Sequence, residues 1–215
     1  MKTEHHSLRT ALAHMKSADP LLAKAMKRLA PMPSFPMPGS ADSHFHSLSR
    51  TILYQQLAGN AAKTIHDRVR RLGNHGRFPT PKAFLSLSSE SIRSCGVSGP
   101  KQASLRDLAD NIDSGALSLR TLTHMDDDQI IQKLTLVRGI GLWTAQMFLI
   151  FRMGRQDVLP TGDLGVQEGA RILDGLHNRP SPAELAERGM CWKPYRSLAT
   201  WTLYRIVDEH RQEPE

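Results

Sequence analysis

Residues 136–151 read LVRGIGLWTAQMFLIF. Gly139 and Gly141 bracket a single isoleucine, and an apolar run follows at once, so the expectation is a tight turn feeding directly into a helix. Such a turn presents consecutive backbone N–H groups at a helix N-terminus, a site suited to a phosphate. Glycine serves twice there: it accepts positive φ, and it puts no side chain in the way of an approaching phosphate backbone. Ile140 is expected to point inward and pin the preceding helix, which carries Ile130, Ile131 and Leu134. Read alone, the segment is equally an ordinary corner between two helices.

Working outward, apolar residues recur at three- and four-residue spacing, as in Leu48 and Ile52 and again in Ala61, Ile65, Val69 and Leu72. The same spacing predicts helices over about 19–29, 81–95, 101–113, 126–134, 141–153, 163–174, 182–188 and 194–210. Short polar or Gly/Pro-containing joints separate them. Residues 31–38, PMPSFPMP, are too proline-rich for helix and read as an extended connector. Nothing reads as a strand, so the expected fold is all-α, built from many short helices.

The chain has 215 residues, with 28 Lys+Arg against 21 Asp+Glu, a net charge of +7 before any of its 10 histidines protonates. That balance favours a nucleic acid or another acidic partner. No apolar run reaches membrane-spanning length, and the first twenty residues lack the apolar core of a secretory signal, so a cytoplasmic setting and no membrane partner are expected. Cys95 and Cys191 stand alone and cannot supply the four thiolates of an iron–sulfur cluster. The spacing of His44 and His46 is no metal site without further ligands. For these two and His66 the sequence offers surface or minor-groove contact and assigns no further role.

A second signal lies in residues 158–166, VLPTGDLGV. Pro160 and Gly162 hold an extended approach, after which Asp163 opens a helix. Aspartate is a common N-cap, and a helix N-terminus favours its negative charge. The same charge suits a group facing a developing positive centre.

A glycine hairpin followed about twenty residues later by an aspartate at a helix start resembles the helix–hairpin–helix (HhH-GPD) DNA glycosylase superfamily. Three further stretches are similar to it: residues 50–62, RTILYQQLAGNAA, like the family's QQ-containing helix pair; residues 96–108, GVSGPKQASLRDL, like its lysine-bearing loop; and residues 192–197, WKPYRS, like the C-terminal signature of its AlkA-like 3-methyladenine DNA glycosylase II branch. Together they span about 42–205. The resemblance implies two helical lobes with an active-site cleft between them, one formed by residues 1–44 plus 154–215 and the other by 45–153. The chain resembles the short form of that branch, without an N-terminal α/β domain.

The resemblance further implies roles for particular residues. The hairpin, with Arg138, Gly139, Ile140, Gly141 and Thr144, would grip duplex DNA, assisted by Gly99 and Lys101. A sodium or potassium ion would sit on the backbone carbonyls of Thr135, Val137 and Gly139; no other cofactor is implied. Gln56, with Leu57 beside it, would fill the gap left by a flipped nucleotide. A leucine plug is familiar in this branch, so Gln56 departs from the pattern. For Gln55, capping of its own helix end is the expected role.

Asp163 would stabilise oxocarbenium character on the sugar during cleavage of the N-glycosidic bond. Trp143 would offer an electron-rich wall to a cationic alkylated purine. Met147, Trp201, Tyr204 and Phe45 would complete the pocket, although an aromatic in place of Met147 would match the branch more closely. Trp192 is expected as scaffold. Relatives that also cut the strand carry a lysine where this chain has Trp143, so a monofunctional, monomeric enzyme leaving an abasic site is implied. The alternatives are a glycosylase for uracil, hypoxanthine or ethenoadenine, and a non-catalytic DNA-binding protein.

Overall fold

A computed structural model describes residues 8–29, 31, 43–57 and 59–212. Among them the secondary structure is helical throughout: α1 (Leu8–Ala18), α2 (Pro20–Arg28), α3 (His44–Tyr54), α4 (Gly59–Arg71), α5 (Pro81–Leu85), α6 (Ser89–Ser94), α7 (Gly99–Asp113), α8 (Asp127–Thr135), α9 (Leu142–Phe151), α10 (Leu164–Asp174), α11 (Pro182–Arg188) and α12 (Arg196–His210). The expected all-α class is what is observed.

Helix starts follow local chemistry. The side chains of Asp19, Ser43, Thr80, Ser88, Asp126, Asp163 and Ser181 each accept a hydrogen bond from the backbone N–H three residues on. Asp126 and Ser181 form reciprocal capping boxes with Gln129 and Glu184. Two expectations need correction. The helix expected over 81–95 is two helices, because Ser88 restarts the chain as a new N-cap after α5 ends. Helix α1 was not foreseen; it buries Ala11 and Met15. The proline-rich connector lies outside the described residues from position 32 onward.

The chain divides into two compact units, Met1–Pro38 with Leu149–Glu215, and Gly39–Phe148. The first unit is built on α10 and α12, with α1, α2 and α11 around them. Its core joins Met15, Leu22, Met26, Val166, Leu185, Leu198, Leu203 and Ile206 with the fully buried Trp192. The Trp192 indole donates to Asp19 Oδ2 at 2.7 Å, and Arg188 meets the same carboxylate at 2.6 Å while pairing with Asp174. Trp192 is therefore scaffold, as expected.

The second unit buries Phe45, Leu48, Ile52, Phe84, Ile92, Leu105 and Leu108. Phe45 is 2% exposed, edge-on to Phe78 and Phe84. It is a core residue, which overturns its expected place in a base pocket. His46 and His66 are also buried. Their Nε2 atoms are 2.7 Å apart in a hydrogen bond between α3 and α4, and His46 stacks on Phe78.

Candidate active site and DNA-binding hairpin

In the second unit, α8 ends at Thr135 and the chain turns through residues 136–141 into α9. Val137 and Ile140 are buried, and Ile140 N–H donates to Val137 O at 3.1 Å to close the turn. Ile140 thus anchors the hairpin from inside and is no DNA contact. Gly139 has φ +77°, and a Cβ there would collide with Ser104 of α7. Both reasons demand glycine. Gly141 differs: its φ is not positive, and a Cβ there would meet nothing within 4 Å. What glycine preserves at 141 is a clear outer face at the start of α9.

The Arg138 backbone N–H donates to Asp107 Oδ2 at 2.8 Å. With Ile140 N–H also used within the turn, the hairpin does not present an unbroken row of amides, which corrects the expectation. The Arg138 side chain is exposed. Beyond the hairpin Leu142 and Trp143 are exposed, Trp143 by 41%, while Ala145 and Phe148 turn into the core. Met147 is 8% exposed, which leaves it little surface to offer a base.

The loop between α3 and α4 is braced to this hairpin. Gln55 Nε2 donates to Gly139 O at 3.0 Å and to Thr144 Oγ1 at 3.1 Å. Thr144 is 2% exposed and so serves the brace rather than DNA. Lys101 Nζ donates to Leu53 O and Gln55 O, both at 2.7 Å, and burial lowers the pKa of its ammonium. It caps the end of α3 from the side; the expectation of a free phosphate contact is overturned. Gly99 is the first residue of α7 and is exposed. Between these restraints Gln56 sits exposed at φ +54°, in the left-handed region unusual for a residue with a side chain, and Leu57 beside it is 39% exposed. Sequence reasoning missed the brace, because Gln55 and Lys101 act on atoms tens of residues away.

The carbonyls assigned to a monovalent cation belong to Thr135, Val137 and Gly139. Their donor chemistry, three neutral oxygens on one stretch of backbone, suits sodium or potassium better than a more highly charged ion. Gly139 O already accepts from Gln55 and Val137 O from Ile140, each with a second lone pair remaining.

In the first unit, Asp163 is the half-buried N-cap of α10. Its Oδ1 accepts from Val166 N–H at 2.8 Å, and its Oδ2 accepts from the Tyr204 hydroxyl at 2.8 Å. The approach to Asp163 is tied down by the start of α12. Arg196 forms a two-pronged pair with Asp157, Ser197 N–H donates to Gln156 O, and Val158 N–H donates to Ser197 Oγ. The end of the WKPYRS stretch therefore fixes the segment that delivers the aspartate. Trp201 is half-buried, with the Arg205 guanidinium 6.0 Å from its ring.

A glycine hairpin opening a helix, with a capping aspartate beyond it, decides the family once the matching region is known. The family model of HhH-GPD superfamily base excision DNA repair proteins matches residues 49–194. The chain belongs to this superfamily. DNA-3-methyladenine glycosylase 1 of Schizosaccharomyces pombe is 33% identical over 162 residues, 75% of this chain and 71% of that protein. The solved structure of an S. pombe 3-methyladenine DNA glycosylase in complex with abasic DNA matches with a TM-score of 0.79 at 30% identity, covering 91% of this chain and 95% of that one. A DNA-3-methyladenine glycosidase from Bacillus halodurans matches with a TM-score of 0.79 at 32% identity, covering 94% and 91%. Among the described residues of this HhH-GPD member, no helix is long and apolar enough to cross a membrane.

Proposed function

We propose that this HhH-GPD protein is a DNA glycosylase that excises alkylated purines, of the 3-methyladenine and 7-methylguanine class, from duplex DNA by hydrolysis, within base excision repair. The observation that carries the reading is Asp163. A protein that only gripped DNA could cap this helix with an uncharged side chain and has no need of a carboxylate, which phosphates repel; the fold matches that of a 3-methyladenine glycosylase on abasic DNA.

The reaction needs little acid catalysis. An alkylated purine of this class already carries positive charge, so the C1′–N bond breaks with its electron pair leaving on the base, which becomes neutral. The sugar acquires oxocarbenium character, and the fixed Asp163 carboxylate stabilises it by Coulomb attraction in a site of low dielectric. Water then adds to C1′ and loses a proton, leaving an abasic site. Trp143 supplies an electron-rich face for the cationic base, worth about 0.5–2 kcal/mol. Trp143 also stands where strand-cutting relatives carry lysine, so the product strand stays intact. Gln56 fills the gap in the stack, and its amide can bond to the orphaned base. A sodium or potassium ion on the carbonyls of Thr135, Val137 and Gly139 would add positive charge next to the DNA backbone. The protein works as a cytoplasmic monomer.

The test is a panel of duplexes, methylated DNA against DNA bearing uracil, hypoxanthine or ethenoadenine. Release of 3-methyladenine and 7-methylguanine in preference to the neutral bases, without strand nicking, is the expected outcome. Release of a neutral lesion alone would overturn the substrate class.

A further inference from the structure

Building on the reading of Asp163 as the carboxylate of base release, we propose that Tyr204 is a positioning residue that holds Asp163 in its working orientation through its hydroxyl. This differs from the wall of a base pocket, where only the ring would matter.

A carboxylate on one short side chain can still turn about its Cβ–Cγ bond. In Asp163 that rotation is opposed at both oxygens. The helix takes Oδ1 through Val166 N–H, and the Tyr204 hydroxyl takes Oδ2, each at 2.8 Å. Together the two donors define the plane of the group. An electrostatic stabiliser acts through charge already in place before the barrier is crossed, so orientation is part of its effect.

The surroundings of the pair are built to allow this contact. Gly165 lies beneath it: a Cβ there would stand 3.0 Å from Tyr204 Cε1 and 3.1 Å from Asp163 Oδ1. One turn further, a Cβ at Gly169 would press into the Leu203 backbone. Helices α10 and α12 thus approach closely at two glycines, and the phenol spans the remaining distance to the cap. The same α12 grips residues 156–158 through Arg196, Ser197 and Thr200. Donor and acceptor therefore sit on one frame, although they are 41 residues apart in sequence.

The test uses Tyr204→Phe, which removes the hydroxyl and keeps the ring, read alone and in the Asp163→Asn background. The measurements are the single-turnover rate of base release from methylated duplex DNA and the Kd for abasic DNA. The expected result is a rate lower by about 10- to 100-fold, the range for a hydrogen bond to an ionised group. The Kd stays unchanged, and Tyr204→Phe has no further effect once Asp163 is Asn. A merely structural or ring-stacking role would not show this dependence on Asp163. A wild-type rate in Tyr204→Phe, with Asp163→Asn inert, would overturn the proposal and leave the role of Asp163 standing. Losses that multiply in the double variant would also overturn it. Full activity in Asp163→Asn would instead remove the reading on which it rests.

Discussion

The side-chain amide of Gln55 donates to the carbonyl oxygen of Gly139, joining the tip between α3 and α4 to the hairpin that opens α9. Two segments 84 residues apart are thereby joined directly. Replacing Gln55 by alanine is expected to cost about 1 kcal/mol of stability, the net worth of such a bond, and to weaken binding to abasic DNA. Gln55→Glu should do worse, because a carboxylate would face the carbonyl oxygen. Urea unfolding and a binding titration read both. A Gln55→Glu protein with wild-type stability and affinity would contradict the brace.

Lys101 separates two explanations of a basic residue near DNA. Because its ammonium is taken by Leu53 O and Gln55 O, Lys101→Met is expected to lower stability and leave the salt dependence of DNA binding as it was. A direct phosphate contact would instead reduce the slope of log K against log salt by about one on its removal. Binding measured across a salt series distinguishes the two.

The two hairpin glycines should fail in different ways. Gly139→Ala meets both positive φ, costing on the order of 1–2 kcal/mol, and Ser104, so its melting temperature falls. Gly141→Ala has open space for its methyl group, and its melting temperature is expected to hold while DNA affinity drops. Equal thermal losses in the two variants would refute this division.

The buried histidine pair gives stability a pH dependence. The His66 pKa is lowered from its usual value near 6.5, first by burial, then by His46, with Arg50 adding to both; the hydrogen bond that the ring donates to the Asp67 carboxylate opposes them. Tyr54 faces the ring edge-on, and Lys63 pairs with Asp67. The unfolded chain therefore binds a proton at His66 more readily than the folded one does. Stability is full above about pH 6.5 and is lost as pH falls from there toward the lowered folded value. Urea midpoints measured from about pH 8 to pH 5 should decline below that point, and His66→Phe should flatten the decline.

Much of this was legible locally. The hairpin could be read because two glycines around one apolar residue, followed by unbroken helical spacing, leave few conformations. The start of α10 could be read because Asp163 caps Val166, three residues on. The split between α5 and α6 was not, since Ser86, Leu87 and Ser88 include no glycine or proline to mark the break. What failed at the site failed for tertiary reasons. Lys101 carries the charge of a phosphate ligand, yet carbonyls 46 and 48 residues away claim it. Phe45, Ile140 and Thr144 have plausible residue types for contact and are buried. His46 and His66 lie on successive helices, but nothing in either helix alone says that they face each other.

Base release is expected to depend on the Asp163 carboxylate. Asparagine retains the oxygen that caps α10, so Asp163→Asn removes the charge and keeps the fold. Single-turnover release of 3-methyladenine and 7-methylguanine from methylated duplex DNA should fall by at least about a hundredfold, comparable to deleting a main electrostatic stabiliser elsewhere, while binding to abasic DNA persists. Release at the wild-type rate by Asp163→Asn would contradict the account.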